Sequence, residues 1–159
     1  MNDNFEKIYF EHKDDVYRLA VAYTQNIFDA EDITQKVFLK IFKNISKIQT
    51  NNIKQYLLKV ASNECKDFFK SFWRKNITSL DNNDAYSVDK ENIELLNILQ
   101  VLPKKYRICI HLYYFYGYDV KEIAKIERVN ENTIKTRLSR GRKILKHEIE
   151  RKGINEKNI

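Results

Sequence analysis

The sequence predicts an all-α protein: two small helical domains joined by a flexible linker, the C-terminal one carrying a helix-turn-helix. Three observations lead there. Only three Gly and one Pro occur in 159 residues, which suits helices joined by short turns. Apolar residues recur at intervals of three and four in most segments, and the alternation of a half-buried strand is absent. The periodicity lapses once, in the polar stretch around LDNNDAYSVDK, and then resumes. The breaks divide the chain into an N-terminal domain over 1–75, a linker over 76–90, a C-terminal domain over 91–152 and a tail over 153–159.

In the first domain, Phe5, Ile8, Tyr9, Val16, Leu19, Ala20 and Tyr23 keep helical spacing, as one long amphipathic helix or two short ones. Asn26, Ile27 and Phe28 are expected to turn the chain, with Asp29 capping the next helix. That helix should bury Ile33, Val37, Ile41, Ile45 and Ile48. Its acidic first turn suits the positive end of a helix dipole. Asp32, Gln35, Lys36 and Leu39 fall on a second, outward face, and an apolar Leu39 there suggests a protein partner. A polar loop, Gln49, Thr50, Asn51 and Asn52, precedes a third helix from Ile53 to about Arg74. Tyr56, Leu57, Val60, Ala61, Cys65, Phe68 and Phe72 are expected inward on it. Lys59, Asn63, Lys66, Lys70 and Arg74 line the other side. Phe69 and Trp73 lie beside this basic stripe, placed either to stack on unpaired bases or to pack on a neighbouring helix.

The second domain opens with Ile93, Leu96, Leu99 and Leu102 on one helix. Pro103 starts the next, where its missing N–H costs little. Tyr106, Cys109, Ile110 and Tyr113 are its expected buried face, and Gly117 ends it. Asp119 then caps a short helix, with Glu122 closing a capping box. Asn130 caps a longer one, whose stripe is Ile134, Leu138, Gly141 and Leu145. Lys135, Thr136, Ser139, Arg140 and Lys143 occupy its opposite face. A short helix, a turn and a longer basic helix is the pattern whose second helix enters the major groove.

Charge placement supports that reading. From Arg128 to Lys146 there are seven Lys/Arg and one Glu, a net of +6 in a chain whose whole excess is +7. A field concentrated on one helix suits a polyanion. No apolar run approaches membrane-spanning length, and the N-terminus lacks the build of a signal peptide, so a cytoplasmic protein is expected. Cys65 and Cys109 fall on apolar faces and read as buried thiols. His12, His111 and His147 show no ligand spacing, so neither metal nor cofactor is expected. No nucleophile–base set or phosphate loop is legible, and the chain is not expected to be an enzyme.

Taken in order, these segments resemble the extracytoplasmic-function (ECF) group of bacterial RNA polymerase sigma factors. DAEDITQKVFLKIF, from Asp29 to Phe42, is similar to that family's polymerase clamp-binding segment. YLLKVASNECKDFFK, from Tyr56 to Lys70, resembles the helix that opens the upstream edge of the melted promoter. The run from Leu102 to Leu145 is similar to the helix-turn-helix that reads the −35 element. The resemblance implies a protein that binds core polymerase and promoter DNA and meets an anti-sigma factor. It assigns Asp32, Gln35, Lys36 and Leu39 to core binding. Gln49, Thr50, Asn51, Asn52, Asn63, Lys66 and Lys70 go to the −10 element, the loop from Ile45 to Lys54 holding a flipped base. Thr133, Lys135, Thr136, Ser139, Arg140 and Lys143 go to the −35 duplex. Arg137 and Arg142 either brace the hairpin or touch phosphate there. Tyr56 stands where the family often has Trp, Lys70 where Arg is usual, Tyr116 where Glu is common, and Gly141 where Ala is common. Gly141 should cost its helix roughly 1 kcal/mol relative to Ala. The alternative left open by the residues is a stand-alone helix-turn-helix regulator with a dimerising or sensing first domain.

Overall fold

The computed structural model describes residues 3–75 and 99–153 and divides the chain into two compact units, Met1–Ala85 and Tyr86–Ile159. The described residues form six α-helices and no strand. The linker over 76–90, the apolar positions Ile93 and Leu96, and the side chains of Phe72, Trp73 and Arg74 lie outside the described residues.

The first unit is a bundle of α1 (Asp3–Thr24), α2 (Ile27–Asn44) and α3 (Ile53–Lys75), with a short 3₁₀ turn at Ile45–Lys47. The first helix is one continuous element. It ends where Gln25 takes a left-handed backbone, φ 52°, which reverses the chain in two residues. The next helix starts earlier than the sequence suggested, because Asn26 is its cap. The Asn26 side chain accepts from the backbone N–H of Asp29 at 3.0 Å, leaving Asp29 inside the first turn. This shift brings Phe28 onto the helix, where it is 72 % exposed. The far end is also corrected. The helix stops at Asn44, so Ile45 and Ile48 are half-buried beyond it and do not extend the stripe of Ile33, Val37 and Ile41.

Leu57, Leu58, Ala61 and Cys65 of α3 close the core against Val16, Leu19 and Ala20 of α1. Tyr56, expected inward, is 37 % exposed, and the fully buried Leu58 takes its place. Two polar pairs tie the bundle together. The Tyr23 hydroxyl hydrogen-bonds Ser62 Oγ at 2.8 Å inside the core. Lys40 of α2 is paired with the nearly buried carboxylate of Glu64 on α3.

The second unit contains α4 (Lys104–Tyr114), α5 (Val120–Glu127) and α6 (Glu131–Lys152). Pro103 stands just before α4 as its cap residue. Every residue from Arg107 to Leu112 is buried, so the core face of α4 is wider than a single stripe. Of the expected buried face, Cys109 and Ile110 are buried, Tyr106 and Tyr113 are only half-buried, and Ile108 and Leu112 are fully buried beside them. Of the polar members of that face, Arg107 Nη1 donates to the Leu102 carbonyl at 3.1 Å, and the His111 ring stacks on Phe115 at 4.7 Å. Gly117, at φ 70°, turns the chain out of α4 and into α5.

Candidate protein and nucleic-acid interfaces

On α2, Asp32, Gln35, Lys36 and Leu39 are all exposed. Phe28, Asp32, Gln35, Leu39 and Phe42 succeed one another at intervals of four, three, four and three, and share one face. Leu39 is 56 % and Phe42 51 % exposed. A solvent-facing stripe at this spacing has the form of a coiled-coil seam, which takes a partner helix side by side. The core stripe of the same helix, Ile33, Val37 and Ile41, faces α1 and α3. An aromatic cluster borders the seam: the Phe5 ring meets Phe42 at 5.1 Å and Tyr9 meets Phe38 at 4.9 Å, both edge to face.

At the other end of α2, Gln49, Thr50, Asn51 and Asn52 are exposed. Asn52 caps α3, its side chain accepting from the Gln55 N–H at 3.0 Å, and the Asn52 N–H donates to Thr50 Oγ1 at 3.1 Å. The loop is therefore held by its own side chains. Beside it lies a cleft of about 260 Å³ with an apolar floor of Ile8, Ile45, Ile48 and Ile53 and a rim of Asn4, Lys7, Glu11 and Thr50. Sequence reasoning did not bring α1 to this site, because the residues are some forty positions from the loop and meet it only through the bundle. Farther along α3, Asn63 and Lys66 are half-buried and Lys70 is exposed. Phe69 is half-buried and packs edge to face on Phe68 at 5.4 Å.

In the second unit both caps of the helix-turn-helix form as the sequence indicated. The Glu122 N–H donates to Asp119 Oδ1 at 2.8 Å, and the Asp119 N–H to Glu122 Oε2 at 2.9 Å. The Asn130 side chain accepts from both the backbone N–H and the hydroxyl of Thr133, at 2.8 and 2.9 Å. Arg128 makes the turn in a left-handed conformation, φ 57° and ψ 43°. Ile134, Leu138 and Gly141 of α6 are buried, and Leu145 is half-buried. The opposite face presents Lys135, Thr136, Ser139, Arg140 and Lys143, all exposed.

The two arginines with open roles are engaged within the fold. Arg137 Nη1 lies 3.9 Å from Oε2 of the buried Glu127 at the end of α5. Arg142 Nε donates to the Tyr114 hydroxyl at 2.8 Å, and its guanidinium lies over the Tyr113 and Tyr114 rings at 5.2 and 5.7 Å. Both pin α6 to the helices behind it. Thr133 is likewise engaged in its cap, while Arg142 remains exposed despite its contact with Tyr114.

The first unit thus exposes an amphipathic seam and the second a basic helix-turn-helix, one surface suited to a protein partner and one to duplex DNA. The comparisons name the class: RNA polymerase sigma factors, the subunits of transcription initiation. Residues 8–75 match the family model for sigma-70 region 2, and residues 92–145 that for sigma-70 region 4. RNA polymerase sigma factor SigV of Bacillus subtilis is 32 % identical over 143 residues, which cover 86 % of this chain and 85 % of that protein. ECF RNA polymerase sigma factor SigM of the same organism is 27 % identical over 161 residues, covering 95 % and 98 %. The fold is similar to that of a sigma factor RpoE crystallised with the anti-sigma factor NepR from Bartonella quintana. The TM-score is 0.77 at 20 % identity, over 94 % of this chain and 98 % of that one. The chain belongs to the sigma-70 family of RNA polymerase sigma factors, and within it to the ECF group.

Proposed function

We propose that this ECF sigma factor divides promoter-specific initiation between its two units. The seam on α2, centred on Asp32, Gln35, Lys36 and Leu39, docks on core polymerase. Its three-and-four spacing suits a helical surface on that partner. Gln49, Thr50, Asn51 and Asn52, with Asn63, Lys66 and Lys70 along α3, hold the melted −10 strand. The apolar cleft beside the loop offers a flipped base a place away from water. The outward face of α6 reads the −35 duplex, with Lys135 and Thr136 nearest the helix start, where side chains of this motif reach base edges.

The observation that carries this reading is the exposed, cap-anchored basic face of α6, a helix set by its core stripe to present those residues outward. The chain supplies recognition, assembly and strand opening, while the polymerase supplies the chemistry. No described helix is long and apolar enough to cross a membrane. The protein works in the cytoplasm, and an anti-sigma factor holds it inactive there or at the membrane.

The test is reconstitution with purified core polymerase. The wild-type chain should confer initiation from a promoter with matched −35 and −10 elements. Changing Asp32 and Gln35 together to Ala should weaken core association without loss of helicity, because both side chains are exposed. Unchanged affinity for core would remove the α2 assignment. Tight sequence-specific DNA binding with no effect on core polymerase would favour the stand-alone regulator.

A further inference from the structure

Seven basic residues lie between Arg128 and Lys146, and six of them are exposed. Arg137 is the exception. Its side chain is 22 % exposed, and its Nη1 lies 3.9 Å from Oε2 of Glu127, whose side chain is 4 % exposed. Arg137 nonetheless borders the outward face of α6. It shares the lining of one cleft with Thr133, Thr136 and Arg140, and the last two belong to the exposed face. Glu127 stands where a carboxylate is disfavoured on two counts. It continues the buried side of α5 after Ile123, Ala124 and Ile126, where an apolar side chain would be at least as stable. It is also the last residue of that helix, at the negative end of the helix dipole. Both effects strengthen its hold on a neighbouring cation, and the Arg137 guanidinium is within reach of it.

We propose that Glu127 is an internal stand-in for a DNA phosphate. It keeps the Arg137 guanidinium inside the C-terminal unit and so lowers the affinity of the chain for any duplex. The contact is autoinhibitory and of fixed size: one phosphate contact is withheld. A phosphate contact strengthens every sequence alike, so withholding one leaves the preference of α6 among sequences unchanged. What it reduces is the electrostatic hold common to all DNA. The proposal rests on the assignment of α6 to the −35 element.

The experiment measures full-chain binding to a −35 duplex and to an unrelated duplex over a range of salt. Arg137→Gln should leave the slope of log affinity against log salt at its wild-type value, because the arginine meets no phosphate. Glu127→Gln keeps the shape of the side chain and removes its charge. It should steepen the slope by about 0.9 on both duplexes. Its gain in affinity should be the same factor on each, shrinking about three- to fourfold between about 50 and about 200 mM salt. Combining Glu127→Gln with Arg137→Gln should return the slope to wild type. Circular dichroism checks folding, and Glu127→Leu, suited to the buried position, takes the place of the glutamine variant if that one unfolds. The proposal is overturned if Arg137→Gln flattens the slope, since Arg137 would then already hold a phosphate. It is overturned equally if neither Glu127 variant steepens the slope, as for a merely structural carboxylate, or if the steepening persists without Arg137. In each case a flattened slope for Lys143→Gln shows that the α6 assignment itself survives. If the wild-type chain does not prefer the −35 duplex, that assignment falls and the withheld contact falls with it.

Discussion

Replacing Gly141 with Ala should destabilise the C-terminal unit, although helix propensity alone favours the change. Gly141 lies mid-way along α6, where Ala is the better residue by about 1 kcal/mol. An added Cβ, however, would lie 3.0 Å from Ile110 Cγ1, 3.3 Å from Ile110 Cδ1 and 3.4 Å from Tyr106 Cβ. Ile110 is 2 % exposed in the middle of α4 and has little room to give way. Overpacking of this kind costs about 1–3 kcal/mol. The balance is a net loss of about 1 kcal/mol, which for a domain of this size lowers the melting temperature by roughly 4–8 °C. Urea unfolding of the full chain followed by circular dichroism measures it. Amide exchange over Ile134–Leu145 assigns the transition to α6. Ile110→Val removes the Cδ1 contact, so the added loss from Gly141→Ala should be smaller in that background. A Gly141→Ala chain more stable than wild type would refute the reasoning, since Ile110 would then have yielded at no cost.

Three further outcomes are expected. Arg128→Gly should stabilise the helix-turn-helix by about 1 kcal/mol, because φ 57° disfavours a residue with a Cβ; a lowered melting temperature would mean the arginine side chain contributes more than its backbone strain. Burial, and then the nearby Asp32, hold the Asp29 carboxyl above its ordinary value. The folded state thus binds that proton more tightly than the unfolded chain. The resulting stability is present below the unfolded pKa of about 3.9 and is lost as pH rises through the folded value. Asp29→Asn should therefore raise stability at neutral pH and lose its advantage in acid, a pattern that denaturation at several pH values would reveal or deny. Lys135→Ala should cost about 1–3 kcal/mol on the preferred −35 site if the lysine pairs with a guanine, and much less on unrelated DNA. Binding-site selection that returns an unchanged sequence would make Lys135 a phosphate contact instead.

The parts legible in the sequence share one property: they depend on residues within a turn of each other. Helix existence follows from three- and four-residue spacing, and the Asp119–Glu122 and Asn130–Thr133 caps from side chains that reach only three residues. The exposure of Asp32, Gln35, Lys36 and Leu39 follows from the same periodicity once the opposite stripe is buried. Where two local solutions compete, the sequence is ambiguous. Asn26 and Asp29 are both good caps, and the structure uses Asn26. Tyr56 and Leu58 compete for the α3 core, and the apolar side chain is the one buried.

What the sequence by itself determined is the all-helical class, the helix-turn-helix with its two caps, and the outward basic face of α6. Only the tertiary structure decided the rest. It turned Arg137 to Glu127 and Arg142 to Tyr114, placed Ile110 against Gly141, and brought Lys105 and Tyr106 beside Arg140. Each of the last three joins α4 to α6 across roughly thirty residues of chain, a separation at which spacing carries no information. Those contacts follow from how closely two helices approach, and that distance is set by the packing of side chains between them.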